Sequence, residues 1–314
     1  MTAAGSTMMD YSTAIVAPSA RWSCRLALFS VSLLLVSLVL HRATSFPTPV
    51  AINLFLAGFA GAALALLVGL VALVQIWRTG FGGIGSMLLG IVLPLLAFAG
   101  PVAYALTHKD LPHINDVTTD VEAPPRFAAL AKRPDGANAS GYPGAPVAEL
   151  QAKGYPDLRP LFVERSPEET FELVEEAVRR LRWHVVAAEP PSSRVSKPGV
   201  LEATDQTLLV GFTDDVVVRV EGSRGRSRVD VRSASRYGRF DFGQNATRVR
   251  RLLAEVQGRA QATVPGQGGI AGSRARALLK RQKAGDPQKA GSRTGRDRDR
   301  SDAPRGPAQK ERPR

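Results

Sequence analysis

Three long apolar runs occupy the first third of the 314-residue chain, and short segments with charged residues, proline or glycine separate them. None of the runs contains an acidic residue. Charge-free runs of this length are typical of helices that cross the ~30 Å hydrocarbon core of a bilayer. We therefore predict an N-terminal segment followed by a membrane region of three spans, with these bounds: 1–22 for the segment, 23–108 for the region, and about 23–41, 51–77 and 84–107 for the spans.

The first run also has the apolar character of a secretory signal peptide. His41 and Arg42 follow it directly, and no good small-x-small cleavage site comes after it. We therefore expect an uncleaved span.

The glycines at residues 80–85 match the pattern G-x-G-x-x-G of dinucleotide-binding sites. That site needs a preceding strand and an acidic residue about 20 positions further on. Here apolar spans lie on both sides, and the first acidic residue afterwards is Asp110. We interpret the motif as a turn between two spans.

Beyond residue 108 the pattern becomes that of a small mixed domain. Many prolines up to residue 160 predict extended chain and turns, and Ser166-Pro167 with Glu169 forms a helix start with a capping box. Strand-like stretches follow at residues 183–187, 200–203, 208–212, 216–220 and 228–236. A second helix is predicted at residues 245–259. The order predicts a compact α+β domain at 109–260, with an antiparallel sheet flanked by two helices.

The valines of the last two strands alternate with polar residues and determine how the strands pair. A register that pairs Val220 with Val229 also places Arg219 opposite Asp230, whereas a shift of two residues would oppose two arginines. We predict the first register. At one end of the hairpin it places a carboxylate and two hydroxyls on the core face, from Asp214, Ser233 and Ser235.

The formal net charge of +13 belongs mainly to the end of the chain. Residues 271–314 contain 14 basic and 5 acidic residues, whereas residues 109–270 contain 23 basic and 22 acidic ones. We predict a disordered basic tail at 261–314, because its composition cannot bury enough apolar surface to fold. Expected partners are the lipid bilayer and, through residues 271–314, an anionic lipid or another polyanion. A nearly neutral domain argues against a specific nucleic-acid partner.

Basic residues near the spans also bear on the orientation in the membrane. With the N-terminus inside, Arg21, Arg25 and Arg78 lie on the cytoplasmic side, against Arg42 and Lys109 outside. This small excess follows the positive-inside rule. With an odd number of spans, it places the α+β domain outside the cytoplasm.

Several motifs in the domain carry a resemblance to a known family. They are residues 214–220 and 229–236, then Gly238, Asp241, Gly243, Asn245 and Arg248, and earlier residues 114–120, 124–127 and 155–158. In this order they resemble the domain-of-unknown-function family 1499 (DUF1499), over roughly residues 111–258. The resemblance implies a membrane-associated or exported protein of bacteria or plastids, without an established activity. Together with the three spans and the orientation above, it predicts a protein of the bacterial cytoplasmic (inner) membrane, with its N-terminus inside and its α+β domain in the periplasm.

The polar residues of these motifs are the candidates for a site. Arginines and hydroxyls could bind an anionic ligand such as a lipid headgroup, or the acids could balance the arginines in a structural ion-pair network. The candidate cluster is Asp214, Arg219, Arg232, Ser233, Ser235, Arg236, Asp241, Asn245 and Arg248. The earlier motif contributes Asp116, Thr118, Thr119 and Asp120.

The same residues offer little support for catalysis. No histidine stands in the motifs beside Ser233 or Ser235, and Cys24 is the single cysteine of the chain. We therefore assign no catalytic residue, no metal and no cofactor. The sequence favours a non-catalytic binding or envelope-associated module, and the alternative is a membrane-tethered hydrolase that uses the Asp/Ser/Arg cluster.

Overall fold

The chain folds into three long helices followed by an α+β domain, and the computed structural model describes residues 15–44, 46–192 and 196–263. The helices are α1 Pro18–Ala43, α2 Thr48–Thr79, α3 Ile84–Thr107, α4 Ala145–Gly154, α5 Pro167–Arg180 and α6 Gln244–Ala262. The strands are β1 Asp116–Thr118, β2 Leu161–Val163, β3 His184–Glu189, β4 Gly199–Gln206, β5 Thr213–Ser223 and β6 Arg226–Ser235. From residue 264 onward the predicted tail lies outside the described residues, as do residues 1–14 of the predicted N-terminal segment.

Helices α1, α2 and α3 are each long and apolar enough to cross a membrane, with mean hydropathies of 2.1, 2.5 and 2.1. The three predicted spans are thus confirmed as helices, although α1 and α2 extend beyond the predicted bounds. Helix α2 buries only small residues against its neighbours, at Ala51, Gly58, Ala62, Ala65, Gly69 and Ala72. Because lipid provides no hydrophobic drive between helices, such small residues allow the close packing that holds them together.

Ser23 of α1 lies where all three helices meet. Its hydroxyl donates a hydrogen bond to the Ala65 carbonyl of α2 at 2.8 Å. A Cβ added to Gly90 of α3 would lie 2.7 Å from the Ser23 Cβ and 2.9 Å from its backbone carbonyl carbon. The absence of a side chain at Gly90 therefore permits the contact between α1 and α3.

The α+β domain has one antiparallel sheet in the order β1-β6-β5-β4-β3, and β2 also pairs with β6. Val220 pairs with Val229, Arg219 with Asp230 and Asp214 with Ser235, so the predicted hairpin register is confirmed. The predicted cap of α5 is also present, because the Ser166 hydroxyl accepts a hydrogen bond from the Glu169 N–H at 3.2 Å.

Two predictions about local structure are wrong. Residues 207–212 form a turn between β4 and β5, not a strand. The Thr207 N–H donates to the Phe212 carbonyl and its hydroxyl accepts from the Phe212 N–H, both at 2.9 Å, which closes the turn. Helix α4 lies in the segment predicted as extended, and Pro146 stands in its first turn, where a proline costs no hydrogen bond.

The two faces of the sheet are covered differently. Helices α5 and α6 pack on one face, where Phe171, Val174, Val249 and Leu252 meet the strand valines in the main core. On the other face, Phe127 and Leu130 pack against Val217 and Ala234. We call residues 119–144, which contain those two residues and no helix or strand, the covering segment. Each face therefore excludes water, and each polar group on it needs a partner within the protein.

We expect Gly90→Ala to destabilise the membrane region, because the new methyl group would collide with Ser23 across the α1–α3 contact. Overpacking of this kind costs about 1–3 kcal/mol. The midpoint of thermal unfolding of the full chain in a nonionic detergent measures the effect. Gly100→Ala is the matched control on the same helix, since a Cβ there meets no atom within 4 Å. Equal midpoints for the two variants would contradict the proposed contact.

Candidate functional site

Arg232 of β6 has the largest fully buried side chain in the described residues, with 1% of its surface exposed. Its Nε and Nη2 donate to the two carboxylate oxygens of Asp116 on β1, at 2.9 and 2.7 Å. Its other hydrogen bonds go to the carbonyl oxygens of Pro125 and Ser140, at 3.2 and 2.9 Å. The guanidinium also lies 4.9 Å from the Phe127 ring centroid. This ion pair is therefore enclosed between the sheet and the covering segment.

Burial raises the pKa of Asp116 above its ordinary value, although Arg232 acts in the opposite direction. The hydrogen bonds and charge of the arginine therefore do not fully compensate for removing the carboxylate from water.

Asp215 joins two further arginines on the same face of the sheet. One of its oxygens accepts from Arg236 Nε at 2.8 Å, and the other lies 2.9 Å from Arg133 Nε in the covering segment. Burial raises the pKa of Asp215 despite both cations. Arg133 Nη1 donates to the carbonyl oxygens of Asn138 and Ala139, at 3.1 and 3.0 Å.

A third ion-pair group joins the covering segment to the middle of the hairpin. Arg219 Nη2 donates to Asp120 and to Asp230, both at 2.9 Å, and Arg228 Nη2 donates to the same two aspartates at 2.8 and 3.0 Å. Burial raises the pKa of Asp120, but hydrogen bonds from Ala123 and Arg219 outweigh it, so that pKa is lowered overall. These contacts attach the start of the covering segment to β5 and β6.

The two threonines of the earlier motif complete the edge of the sheet. The Thr119 hydroxyl donates to Asp230 at 3.3 Å and accepts from the Val231 N–H at 2.9 Å. The Thr118 N–H donates to the Gln151 side chain at 2.9 Å, and that side chain donates to the Thr118 carbonyl. Gln151 of α4 thereby replaces a neighbouring strand at this position.

Arg248 of α6 forms a separate network on the helix-covered face. Its three nitrogens donate to Asp205, to Asn245 and to Asp214, at 2.8, 2.8 and 2.9 Å. Arg248 Nη1 also donates to the Ser233 hydroxyl at 3.2 Å. Burial lowers the pKa of Arg248, but its two aspartates outweigh this effect and raise it overall.

Asn245 links this network to the end of the hairpin. Its amide donates to the Ser235 hydroxyl at 2.9 Å, and its side-chain oxygen accepts from the Ser233 hydroxyl at 2.7 Å. Asp241 accepts from the N–H groups of Gly243 and Asn245, at 2.9 and 2.8 Å, and so satisfies the start of α6. Burial raises the pKa of Asp241.

The structure thus divides the predicted cluster between the two faces of the sheet. Ser233, Ser235 and Arg248 meet on the helix-covered face, whereas Arg232 and Arg236 contact other aspartates beneath the covering segment. Alternation along β6 explains the division, because successive residues point to opposite faces. Most of the guanidinium nitrogens in both networks already have partners within the protein.

Glu202 of β4 is a buried polar residue that sequence reasoning did not include. Its carboxylate accepts hydrogen bonds from three successive backbone N–H groups of the covering segment, those of Ala128, Ala129 and Leu130, at 2.7, 3.0 and 2.8 Å. An acid between apolar residues in the predicted strand 200–203 was the available signal. Its partners lie more than 70 positions earlier, so the sequence could not indicate them.

A cleft of about 550 Å³ lies at the edge of the sheet near β1 and the end of β6. Arg133 and Tyr142 both line it, and the buried Arg133 Nη2 and Tyr142 hydroxyl have no hydrogen-bond partner among the described residues. Burial raises the pKa of Tyr142 to about 12, so the hydroxyl carries its proton at neutral pH. Arg239 also lines the cleft and forms no ion pair with any described residue. Sequence reasoning missed all three, because each stands in irregular chain without a periodic pattern.

The comparisons with known proteins identify the domain that contains these networks. A family model described as Protein of unknown function (DUF1499) matches residues 116–256. This part of the chain is a DUF1499 domain. The match begins at Asp116 and ends within α6, so it contains every ion pair described above. No curated protein matches the chain.

Within residues 15–44, 46–192 and 196–263, no group of three or more His, Cys, Asp or Glu side chains is placed to hold a metal ion. Asp116, Asp215 and Asp214 each contact an arginine instead, at 2.7, 2.8 and 2.9 Å.

We expect Asp116→Asn and Arg232→Met each to lower the free energy of unfolding of the DUF1499 domain by about 3–5 kcal/mol, because each leaves a buried charge unpaired. The double variant should lose much less stability than the sum of the losses in the two single variants, since it removes both charges. Trp183 is buried and is the only tryptophan of the domain, so its fluorescence during urea unfolding reports the loss in a Trp22→Phe/Trp77→Phe background.

The matched control is a second double-mutant cycle at Asp157 and Arg250. This pair also has two hydrogen bonds, of 2.6 and 2.8 Å, but its side chains are 54% and 42% exposed. We expect a coupling below about 1 kcal/mol there. If the coupling free energy between Asp116 and Arg232 is no larger than that between Asp157 and Arg250, burial does not strengthen the ion pair.

Proposed function

We propose that this protein is a non-catalytic, membrane-anchored binding module of the cell envelope, and that its DUF1499 domain binds an oxyanion in the cleft beside β1. The observation that carries the proposal is the pair of unpartnered buried donors on cleft-lining residues, Arg133 Nη2 and the Tyr142 hydroxyl. A buried donor without a partner costs about 1–3 kcal/mol. A ligand oxygen would recover this cost.

Charge around the cleft favours an anion. Four arginines, namely Arg133, Arg232, Arg236 and Arg239, stand against two aspartates, Asp116 and Asp215, in and directly behind the cleft. Arg239 is exposed at the cleft and has no carboxylate partner among the described residues. The residues in and directly behind the cleft therefore carry a net positive charge, which favours binding of a phosphate or carboxylate.

The cleft lies at the end of the domain that meets the membrane helices. His113, which lines it, stacks on Phe240 with ring centroids 4.3 Å apart, and Phe240 contacts Phe242 at 4.2 Å. Phe242 in turn lies 5.2 Å from Tyr104, in the last turns of α3. An anionic lipid headgroup could therefore reach the cleft as readily as a free anion.

The networks give the hydrolase alternative no support. The Ser233 hydroxyl donates to the Asn245 amide oxygen, and the Ser235 hydroxyl accepts from the same side chain. Neither serine has a histidine or carboxylate base within hydrogen-bond distance among the described residues. A serine nucleophile needs such a base to be activated.

The proposed location is the bacterial inner membrane, with the N-terminus in the cytoplasm and the DUF1499 domain in the periplasm. Ala17 donates to the Gly82 carbonyl at 3.1 Å, so the start of α1 and the α2–α3 turn lie at one end of the membrane region. Arg21, Arg25 and Arg78 belong to that end, which supports its cytoplasmic placement. We further propose that residues 271–314, with 14 basic and 5 acidic residues, contact anionic lipid or another polyanion.

The orientation can be tested with an impermeant thiol reagent in a Cys24→Ser background. We expect Gly225→Cys, in the β5–β6 turn, to be labelled in intact cells. Thr79→Cys, at the opposite end of the membrane region, should be labelled only after lysis. The reverse pattern would contradict the orientation.

The ligand can be tested with two probes on the full chain in a neutral detergent. Inorganic phosphate is titrated by calorimetry, and retention of phosphatidylglycerol against phosphatidylcholine is counted by native mass spectrometry. We expect Tyr142→Phe and Arg239→Gln each to weaken binding about tenfold, as loss of one charge-assisted or buried hydrogen bond does. Arg224→Gln is the matched control, since it removes an exposed arginine at the far end of the sheet.

The probes distinguish the two sources of an anion. Selective retention of phosphatidylglycerol that the two cleft variants abolish would identify a headgroup, and phosphate binding alone would identify a soluble ligand. Equal affinities of the cleft variants and Arg224→Gln for the probes would contradict the proposed function. So would the absence of binding of either probe.

A further inference from the structure

The turn between β4 and β5 exposes two large apolar side chains. Leu208 is 86% and Leu209 is 79% exposed, whereas the next most exposed large apolar side chain among the described residues of the α+β domain, Phe162, is 54% exposed. Adjacent leucines at the tip of a turn do not pack on this domain. Their exposure to water is unfavourable, so a partner that accepts apolar side chains is expected.

The turn is a closed structure that presents these leucines outward. Thr207 forms two hydrogen bonds with Phe212 across its base, and the Gly211 N–H donates to the Thr207 carbonyl at 3.0 Å. Gly211 has a φ of +83°, a left-handed conformation that glycine adopts without strain. The tip is thus held in place by its own backbone.

The base of the turn rests on the end of helix α1. The Phe212 ring centroid lies 5.5 Å from that of His41, and Arg42 Nη1 donates to the Gln206 side chain at 3.4 Å. Arg42 also lies against Gly211, because a Cβ on that glycine would be 3.1 Å from Arg42 Cδ. The end of β4 and the residues at the base of the turn therefore meet the same helix end.

That helix end is at the level of the membrane surface. His41 and Arg42 directly follow the uncharged apolar run of α1, and basic residues in this position lie at the boundary between hydrocarbon and water. Tyr104 lies near the end of α3, and tyrosine is enriched at the interface between membrane and water. Its ring contacts Phe242 of the α+β domain. The turn is therefore continuous with the bilayer that α1 spans.

We propose that the tip of the β4–β5 turn inserts Leu208 and Leu209 into the interfacial layer of the same bilayer. The inserted tip is a second attachment of the α+β domain, independent of any ligand in the cleft. Together with the helix ends, it fixes the tilt of the domain on the membrane surface.

The test uses the full chain in lipid vesicles, in a Cys24→Ser background. A polarity-sensitive fluorescent dye is attached to Leu208→Cys or, as matched control, to Gly225→Cys in the β5–β6 turn. Strand β5 has 11 residues and spans roughly 35 Å, so the two positions lie at opposite ends of the sheet. Nitroxide-labelled lipid reports contact with the bilayer, and aqueous iodide reports contact with water.

We expect the dye at position 208 to be quenched by the nitroxide lipid and protected from iodide, and the dye at position 225 to behave oppositely. Adding Leu209→Asp should return the dye at 208 to water, without unfolding the domain, because Leu209 makes little packing contact. The same environment for both dyes, whether aqueous or lipid, would overturn the proposal. So would a dye at 208 that Leu209→Asp leaves in the bilayer.

Discussion

Arg232 lies in the middle of strand β6 and is almost completely buried, so its guanidinium needs acceptors inside the protein. They come from Asp116 on β1 and from the carbonyl oxygens of Pro125 and Ser140. One side chain thereby determines where β1 lies and how the covering segment crosses the sheet. A buried ion pair contributes little net stability, but loss of one partner is costly. Its main effect is therefore to select one arrangement of a segment that has no regular structure of its own.

Buried polar groups have different kinds of partner on the two faces of the sheet. Under α5 and α6 the face is apolar along most of its length, and Arg248 satisfies the polar end. Under the covering segment, charges lie along the whole hairpin, and Glu202 holds three backbone N–H groups of the segment in place. Near β1, which has only three residues, Arg133 Nη2 and the Tyr142 hydroxyl have no partner among the described residues. The cleft and its unpartnered donors lie at this edge of the sheet.

The membrane region and the domain meet through aromatic rings and short polar contacts. Phe242 contacts Tyr104 and His108 of the α3 end, and Gln244 donates to the Tyr104 hydroxyl at 2.8 Å. Phe212 contacts His41 at the end of α1. Tyr104, His41 and His108 each combine an apolar ring with polar atoms, which suits the boundary expected between hydrocarbon and water. The cleft and the turn that carries Leu208 and Leu209 both lie at the end of the domain that contacts the ends of α1 and α3.

Local patterns in the sequence were sufficient for much of this fold. Apolar runs without charges determined the three spans, the capping box at Ser166 determined the start of α5, and alternating valines determined the register of the hairpin. Each of these features depends on residues that are close in the chain, where periodicity and charge pairing can be read directly. The same patterns failed at residues 208–212, whose apolar character belongs to a turn at the surface and not to a buried strand.

Only the tertiary structure decided which charges are neighbours. Asp116 and Arg232 are separated by 116 positions, and the partners of Glu202 lie more than 70 positions before it. Sequence order placed Arg232, Arg236 and Arg248 in one group, but β6 directs Arg232 and Arg236 beneath the covering segment, whereas α6 places Arg248 on the opposite face of the sheet. The cleft depends on the path of the covering segment, which has no periodic pattern. The sequence therefore determined most of the elements, and the long-range pairing of buried charges determined which side chains meet.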